Sequence, residues 1–237
     1  MKKTFLILLA VTLLAVLPAA SALAGEITNI TCTAQTNGTA LVRWDGDNSS
    51  PYTIYWKLAY CNNSHYDTSS ANFYFLGNGI PGETYTITVE RGGDSGSVVY
   101  TVPRGVFKEW NTAGKGYVQL SERNQGKTDL NYFSLSDLRA NPTKMFYLWI
   151  DHPQLKSERT YAATVALKTP LGYTGRTDFG DGLPFKNGYW YAIPYNMLDD
   201  WLNYVEQDYG AIPTGRYTFE VFLDGLLYSS TEFTVNN

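Results

Sequence analysis

The chain has 237 residues, of which 44% are apolar and 17% charged, and its 18 basic and 22 acidic side chains give a formal net charge of −4. This composition excludes a disordered tail and a histone-like basic arm, which carry fewer apolar residues or far more charge of one sign. A groove that neutralises phosphates needs clustered Lys and Arg, which here are scattered, so nucleic acid is not expected as a partner. The 19 Tyr, 6 Trp and 11 Phe, together with 21 Gly, are typical of strands joined by tight turns.

The N-terminus has the order of a secretory signal. Two lysines precede an apolar run from Phe5 to Leu17, and small residues then lead to Ala24. This order predicts that residues 1–24 are a signal peptide cleaved after Ala24. An uncleaved membrane anchor is the alternative, but the run before Pro18 is shorter than the ~20 residues that a span needs. We therefore expect a secreted, extracellular protein with no stable membrane span after cleavage.

From Glu26 onward the pattern is one of strands and turns. A period of two gives the second and third strands an apolar face, as in Val42 and Trp44 and then in Ile54 and Trp56. Clusters of Gly, Asn, Asp and Ser separate the strands, and several short strands without a helix predict an antiparallel sandwich. The strands predicted in this half are Ile27–Cys32, Ala40–Asp45, Tyr52–Leu58, Asn72–Leu76, Tyr85–Glu90 and Val98–Val102.

Three motifs in this half carry a family resemblance. Leu41–Trp44 resembles the second strand of a fibronectin type III domain with its core tryptophan, and Tyr52–Trp56 resembles the third strand. Pro81–Val89 resembles the Pro-Gly-x-x-Tyr start of the family's penultimate strand. The resemblance implies that Tyr85 is a corner tyrosine whose hydroxyl bonds back to the preceding turn. The polar stretch Asn62–Asn72 departs from the family pattern and predicts a long loop.

The second half repeats the closing hairpin of the first. Pro213–Val221 is similar to Pro81–Val89, and this recurrence a domain length away predicts two related sandwich units. A helix interrupts the strands at about 196–209, since Asn196 can cap it and Gly210 can end it. Further strands are predicted at Tyr117–Leu120, Tyr132–Leu135, Met145–Asp151 and Tyr161–Lys168.

The predicted fold class is therefore all-β, with two tandem antiparallel β-sandwich domains. Residues 25–103 form the fibronectin type III-like domain, and residues 104–237 form the second domain with one inserted helix at about 196–209. The second domain resembles the immunoglobulin-like domains appended to secreted bacterial proteins. The resemblance implies a bacterial, extracellular setting.

Export changes how the two cysteines are interpreted, because disulfides persist in oxidising compartments. In an up, down, up strand path the first and third strands run in the same direction, so Cys32 and Cys61 fall near one pole. We therefore predict a Cys32–Cys61 disulfide, worth roughly 3 kcal/mol in the loop-entropy treatment. Two separate thiols are the alternative, with Cys32 packed as a small hydrophobic residue.

One short segment of the sequence resembles a catalytic motif. Gly93–Ser97 is similar to the surroundings of the nucleophile in trypsin-like proteases, and His65 with Asp45 or Asp67 would be the partners that a triad needs. The first domain is too short for either barrel of that fold. We therefore interpret the string as a turn, predict no catalytic residue and do not expect an enzyme.

Adhesion and metal motifs are also incomplete. Arg91–Asp94 contains an Arg-Gly-Asp adhesion tripeptide interrupted by an extra glycine. Two histidines and two cysteines that are predicted to pair with each other offer no zinc ligand set. Asp45–Ser49 and Asp178–Gly182 have the alternating oxygens that calcium binds, but the first lacks the closing glutamate of an EF-hand. We interpret both as turns and expect neither a metal nor a cofactor.

The aromatic cluster before and within the predicted helix is the stronger binding candidate. Flat rings stack on sugar faces or anchor a protein partner, because they bury a large area at a small entropy cost. In a strand, Trp190 would point one way and its two neighbours the other, so the cluster cannot all be core. The candidate binding residues are Tyr189, Trp190, Tyr191, Tyr195 and Trp201.

Three functional hypotheses follow. The first is a secreted, non-catalytic interaction or adhesion module, whose partner is a protein or a glycan at a cell surface. The second is a carbohydrate-binding accessory protein that uses the aromatics near 189–201. The third is a hydrolase with an unrecognised site, because a fold does not fix a function. A map of the exposed aromatics separates a binding patch from core.

Overall fold

The computed structural model describes most of the chain from residue 26 to its end. The described residues are 26–35, 39–47, 51–77, 79–104, 117–123, 130–151, 159–185, 190–223 and 225–237. The predicted signal peptide lies outside them, and so does the segment 105–116 that follows the predicted domain boundary. Cleavage after Ala24 and a boundary near residue 103 therefore stay predictions.

The described strands before residue 104 form one sandwich of two antiparallel sheets. One sheet has the order β1-β2-β5 and the other the order β4-β3-β6-β7. This arrangement confirms the all-β sandwich prediction. The strands are β1 (Thr28–Ala34), β2 (Ala40–Asp45), β3 (Tyr52–Leu58), β4 (His65–Ser69), β5 (Phe73–Leu76), β6 (Thr84–Arg91) and β7 (Asp94–Thr101).

Strand β4 lies inside the polar stretch that was expected to be a loop. It pairs with β3, so that His65 lies opposite Trp56 and Ser69 lies opposite Tyr52. The loop prediction for Asn62–Asn72 is therefore corrected: the stretch contains the edge strand of the four-stranded sheet.

The strands from residue 117 onward form a second sandwich. Its sheets have the orders β13-β10-β8 and β12-β11-β14-β15-β9, and β9 runs parallel to β15 while the other neighbours are antiparallel. The strands are β8 (Tyr117–Ser121), β9 (Tyr132–Ser134), β10 (Met145–Asp151), β11 (Arg159–Thr169), β12 (Gly172–Phe185), β13 (Trp190–Asn196), β14 (Gly215–Leu223) and β15 (Leu226–Asn236).

The two sandwiches have the same strand order. The β1-β2-β5 sheet corresponds to β8-β10-β13, and the β4-β3-β6-β7 sheet corresponds to β12-β11-β14-β15, to which β9 is added. The recurring hairpin motif thus occupies equivalent strands, β6 in the first sandwich and β14 in the second. This agrees with the prediction of two related units.

A tyrosine fixes the turn before the equivalent strand in each sandwich. The Tyr85 hydroxyl accepts a hydrogen bond from the Ile80 backbone N–H at 3.2 Å, as a corner tyrosine does. The Tyr217 hydroxyl donates to the Pro213 carbonyl at 2.6 Å. The corner role implied for Tyr85 is present, and Tyr217 repeats it in the second sandwich.

A short helix follows β9 where the sequence predicted more strand. Helix α1 (Leu135–Ala140) begins after Ser134, whose hydroxyl accepts from the Asp137 backbone N–H at 3.3 Å. The strand predicted over Tyr132–Leu135 therefore ends one residue earlier, at Ser134, because a serine at this place caps a helix.

The helix predicted at about 196–209 corresponds to two consecutive helical segments. Met197–Leu202 has π-helical geometry, and α2 (Asn203–Tyr209) continues it. The Asn196 side chain caps the first turn, and Gly210 ends the helix with a positive φ of 80°. No helix in the described residues is long and apolar enough to cross a membrane.

Cys32 and Cys61 are free thiols, so the predicted disulfide is absent from the structure. Strand β1 lies over β7, since a Cβ added at Gly96 would meet the Ile30 side chain. β7 is two strands away from β3, which ends just before Cys61. This lateral offset of about 10 Å is beyond the reach of a disulfide, although the cysteines follow strands of the same direction.

Removing the Tyr85 hydroxyl tests the corner. We expect Tyr85→Phe to lower the free energy of unfolding by about 1–2 kcal/mol, because the buried Ile80 N–H loses its acceptor. Urea unfolding measures the change. Tyr100→Phe is the matched control, since Tyr100 is the cross-strand neighbour of Tyr85 and its hydroxyl has no hydrogen bond to the described residues. Equal effects of the two substitutions would contradict the role of Tyr85.

Candidate functional site

Two of the five predicted binding residues lie in the core of the second sandwich. Tyr195 is 2% exposed and Trp201 is 0% exposed. Their rings meet edge-on with centroids 5.4 Å apart, and Trp201 also meets Phe219 at 5.0 Å. The expectation that they contact a ligand at the surface is corrected: the helix lays Trp201 against the sheet, and both rings are packing residues.

The other three predicted binding residues are only partly described. Tyr189 lies outside the described residues. Trp190 and Tyr191 begin β13, where they pair with Asp151 and Ile150 of β10, but their side chains are outside the described part of the structure. A binding role for these three residues stays a prediction.

The protease-like string does not assemble a triad. The turn between β6 and β7 consists of Gly92 and Gly93, with φ values of 57° and 98°, and Ser95 already lies in β7. β7 and β4 are opposite edges of one sheet, so Ser95 and His65 are separated by about three strand spacings, or ~14 Å. The predicted turn is therefore shorter than Gly93–Ser97, and Ser95 is far from the base that a nucleophile needs.

The calcium-like string of the first sandwich holds an ion pair. Asp47 pairs with the buried Arg91, whose guanidinium lies 4.6 Å from the centroid of the Tyr52 ring. Asp45 accepts a hydrogen bond from the Asn29 side chain at 2.7 Å. Within the described part of the chain, no three His, Cys, Asp or Glu side chains gather in a possible metal site.

Exposed aromatic side chains are concentrated in the first sandwich. Among the described residues, large exposed rings occur at Tyr60, Tyr66, Phe73, Phe75 and Tyr132, and all but Tyr132 belong to the first sandwich. Sequence reasoning missed this group, because it treated these residues only as parts of strands and loops and considered binding only for the cluster near 189–201. The signal available was the Phe73-Tyr74-Phe75 run, in which two rings share one face of a strand.

Two exposed phenylalanine rings lie next to each other on strand β5. Phe73 is 42% exposed and Phe75 is 55% exposed, and their rings lie 5.8 Å apart at an interplanar angle of 77°. On the neighbouring strand β2, Arg43 lies opposite Phe73 and Leu41 opposite Phe75. We call these four residues the β5 patch.

The inward-facing residues of β5 contact the core, so the opposite face of the strand, which carries the patch, faces solvent. Leu76 is buried in the core. Tyr74 stacks on Trp56 with centroids 5.8 Å apart and donates to the Asp67 carboxylate at 2.9 Å. Because alternate residues of a strand point to opposite faces, these contacts leave Phe73 and Phe75 facing solvent.

A backbone segment of β12 joins the two sandwiches. The Tyr173 carbonyl accepts hydrogen bonds from the Tyr209 hydroxyl at 2.6 Å and from the Cys61 thiol at 3.5 Å. The buried Asp208 carboxylate accepts from the Gly175 backbone N–H at 2.7 Å, and the Gly175 carbonyl lies 3.0 Å from His65 Nε2. We call Tyr173–Gly175 the junction segment.

Burial favours the neutral forms of two groups at the junction segment, the Cys61 thiol and the His65 imidazole. Burial, together with the nearby Asp208 carboxylate, raises the pKa of the Cys61 thiol to about 12. Burial lowers the pKa of His65, whose ring stacks between Trp56 at 6.1 Å and Tyr204 at 6.2 Å. The ring is therefore used in packing, and its Nε2 lies against the Gly175 carbonyl.

Comparisons with known proteins give only distant likenesses. The sequence matches no family model and no curated protein. Among solved structures, the FN5 domain of Drosophila Lar is 19% identical, covers 35% of this chain and 99% of its own, and has a TM-score of 0.30. A two fibronectin type III domain segment from chicken tenascin is 10% identical, covers 90% of this chain and 99% of its own, and has a TM-score of 0.29.

A third structure, the FN1–FN3 domains of chicken CNTN1, is also 10% identical with a TM-score of 0.29, and it covers 90% of this chain and 69% of its own. TM-scores this low do not establish a shared fold. The fibronectin type III-like description of the first sandwich rests instead on the strand order of its two sheets and on the corner tyrosine Tyr85.

The lowered pKa of His65 predicts a pH-dependent stability. The unfolded chain binds the proton more tightly than the folded chain, so the free energy of unfolding falls as the pH drops from about 6.5 through the lower folded-state pKa. Below the folded-state pKa the loss is complete. His65→Gln is expected to remove this part of the pH dependence in urea unfolding.

His152→Gln is the matched control, because His152 is the other histidine of the chain. Subtracting the control's profile removes the titration of the carboxylates, which both variants share. If His65→Gln kept the wild-type slope just below pH 6.5, the shift assigned to His65 would be disproved.

Proposed function

We propose that this protein is a secreted, non-catalytic interaction module that binds a protein partner at a cell surface through the β5 patch. The observation that carries the proposal is the pair of phenylalanine rings exposed side by side at Phe73 and Phe75. Aromatic residues, including phenylalanine, and arginine are enriched in protein interfaces. The patch combines both, since Arg43 lies opposite Phe73.

The geometry of the patch favours a protein over a sugar. The two rings are inclined by 77°, so they offer no common plane on which consecutive sugars could stack. They also lack the hydroxyls that would bond to a sugar. An inclined pair of apolar rings instead suits insertion into a hydrophobic pocket, where the rings lose all their contact with water.

The contacts of the polar groups support a non-catalytic role. The carboxylate of Asp208 is used by the junction segment, the carboxylate of Asp47 by Arg91, and the ring of His65 by its stack. These groups therefore serve packing in the described structure.

Export is supported by the order of the first 24 residues, and it has a direct test. We expect the extracellular form of the chain to begin at Gly25, because small residues at Ala22 and Ala24 define the cleavage site. N-terminal sequencing of the protein recovered from the medium of expressing cells measures this. Ala24→Arg is expected to leave the chain unprocessed, and recovery of a full-length chain outside the cells from the unaltered gene would contradict export by this signal.

The β5 patch is tested by a double substitution. We expect Phe73→Ala with Phe75→Ala to weaken binding at least about tenfold, because each ring would be a central contact. Biolayer interferometry against a panel of immobilised purified extracellular proteins measures the dissociation constants. Circular dichroism of the variant checks that the sandwich is retained.

Tyr132→Ala is the control variant. Tyr132 is 48% exposed, as the two phenylalanines are on average, but it lies on β9 of the second sandwich. The proposal fails if the double variant binds like the wild type, if Tyr132→Ala weakens binding equally, or if no protein of the panel is bound.

A further inference from the structure

We infer that the outer face of the four-stranded sheet in the first sandwich is a second binding surface, whose ligand is an uncharged, extended polysaccharide. This surface is separate from the β5 patch, which belongs to the other sheet. The inference therefore goes beyond the proposed function and does not rest on it.

A straight row of side chains crosses all four strands of this face. Tyr66 of β4 lies opposite Tyr55 of β3, Tyr55 lies opposite Thr88 of β6, and Thr88 lies opposite Ser97 of β7. Four neighbouring strands span about 14 Å. We call these four residues the Tyr66–Ser97 row, and its length suits several consecutive units of an extended polymer.

The row points to solvent because the alternate residues are in the core. Ile54, Ile87 and Val89, which neighbour the row along β3 and β6, are all fully buried. Tyr66 is 69% exposed and Ser97 is exposed. The register of the sheet therefore directs this face toward solvent.

The tyrosine end of the row can stack on sugar rings. The Tyr55 and Tyr66 rings lie side by side with centroids 6.0 Å apart and an interplanar angle of 42°. Neighbouring rings on neighbouring strands give an apolar surface with one hydroxyl on each ring. This combination matches a sugar, which has an apolar ring face and a polar rim.

The hydroxyl end of the row can continue the recognition. Thr88 Oγ1 and Ser97 Oγ lie 2.8 Å apart, so one hydroxyl donates to the other. The accepting hydroxyl keeps its own hydrogen, and both oxygens keep lone pairs. The pair can therefore both donate and accept, as each hydroxyl of a sugar does, and Thr84 with Thr101 forms a second such pair on the same face at 2.9 Å.

The charge of the face selects among possible ligands. Its described charged residues are Lys57 and Glu90, one of each sign. Nucleic acids and sulfated or uronic polysaccharides need clustered cations, which this face lacks. The centre of a protein interface is rich in large apolar side chains, whereas the described residues of this face carry only Tyr55, Tyr66 and Val99 of this kind. An uncharged polyhydroxylated polymer is the ligand class that remains.

The test is affinity electrophoresis of the whole secreted chain in gels that contain one soluble polysaccharide each. Mannan, dextran, xyloglucan and hydroxyethylcellulose are the uncharged probes, and heparin and polygalacturonate are the charged ones. We expect at least one uncharged polymer to retard the chain, and neither charged polymer to do so. Retardation by charged polymers alone, or by none of the probes, would overturn the inference.

Substitutions then locate the site. Tyr55→Ala with Tyr66→Ala is expected to weaken the retardation at least about tenfold through loss of the stacking rings. Thr88→Val keeps the shape of the side chain and removes its hydroxyl, and we expect a loss of about fivefold. Because Thr88→Val suits a strand, it keeps the test valid if the tyrosine double variant does not fold. Retention of wild-type affinity by a folded tyrosine double variant, or by Thr88→Val, would overturn the inference.

Two controls separate this site from the others. Tyr132→Ala is expected to leave the retardation unchanged, since Tyr132 is exposed on the second sandwich. Phe73→Ala with Phe75→Ala is also expected to bind the polysaccharide normally, so the failure of the β5 patch and the failure of this inference are distinguishable. Equal loss in either control would place the polysaccharide elsewhere and contradict the inference.

Discussion

The junction segment Tyr173–Gly175 is the contact on which the relative placement of the two sandwiches depends. Its Tyr173 carbonyl accepts from side chains of both sandwiches, Cys61 from the first and Tyr209 from the second. The approach is close, because a Cβ added at Gly172 would lie 2.9 Å from the Tyr209 hydroxyl and 3.2 Å from the Tyr60 ring. Since the acceptor is a backbone carbonyl and Gly172 leaves no room for a side chain, the contact depends on the backbone path of this part of β12.

The strands were largely predictable from the sequence where one face of the strand is buried and the other is exposed to solvent. Val42 with Trp44 and Ile54 alternate with polar or less buried neighbours, so a period of two located β2 and β3. β4 was missed because it is an edge strand with mostly exposed residues, which leaves polar residues on both of its faces. α1 was missed because six residues give too little helical periodicity, and its capping Ser134 also ends a strand.

The candidate site was less predictable, because it depends on which residues neighbouring strands bring together. The closeness of the aromatic residues in the sequence did not indicate that Trp201 is in the core, because its burial follows from how the helix packs on Phe219. In the Phe73-Tyr74-Phe75 run both faces are apolar, so only the register with β2 decides which rings are exposed. The disulfide prediction used the direction of strands correctly but lacked their lateral order, which separates Cys32 from Cys61.

The two sandwiches share a strand order but differ in which outer faces are free. In the second sandwich, Val165 and Leu167 belong to its own core, whereas Ala166 between them is buried with the core of the first sandwich, as is Phe222. The outer face of the five-stranded sheet is thus covered at the junction. The first sandwich keeps exposed aromatics on both of its sheets, at Tyr66 on one and at Phe73 and Phe75 on the other. Equal topology therefore yields unequal surfaces, and among the described residues most exposed aromatic rings lie on the first sandwich.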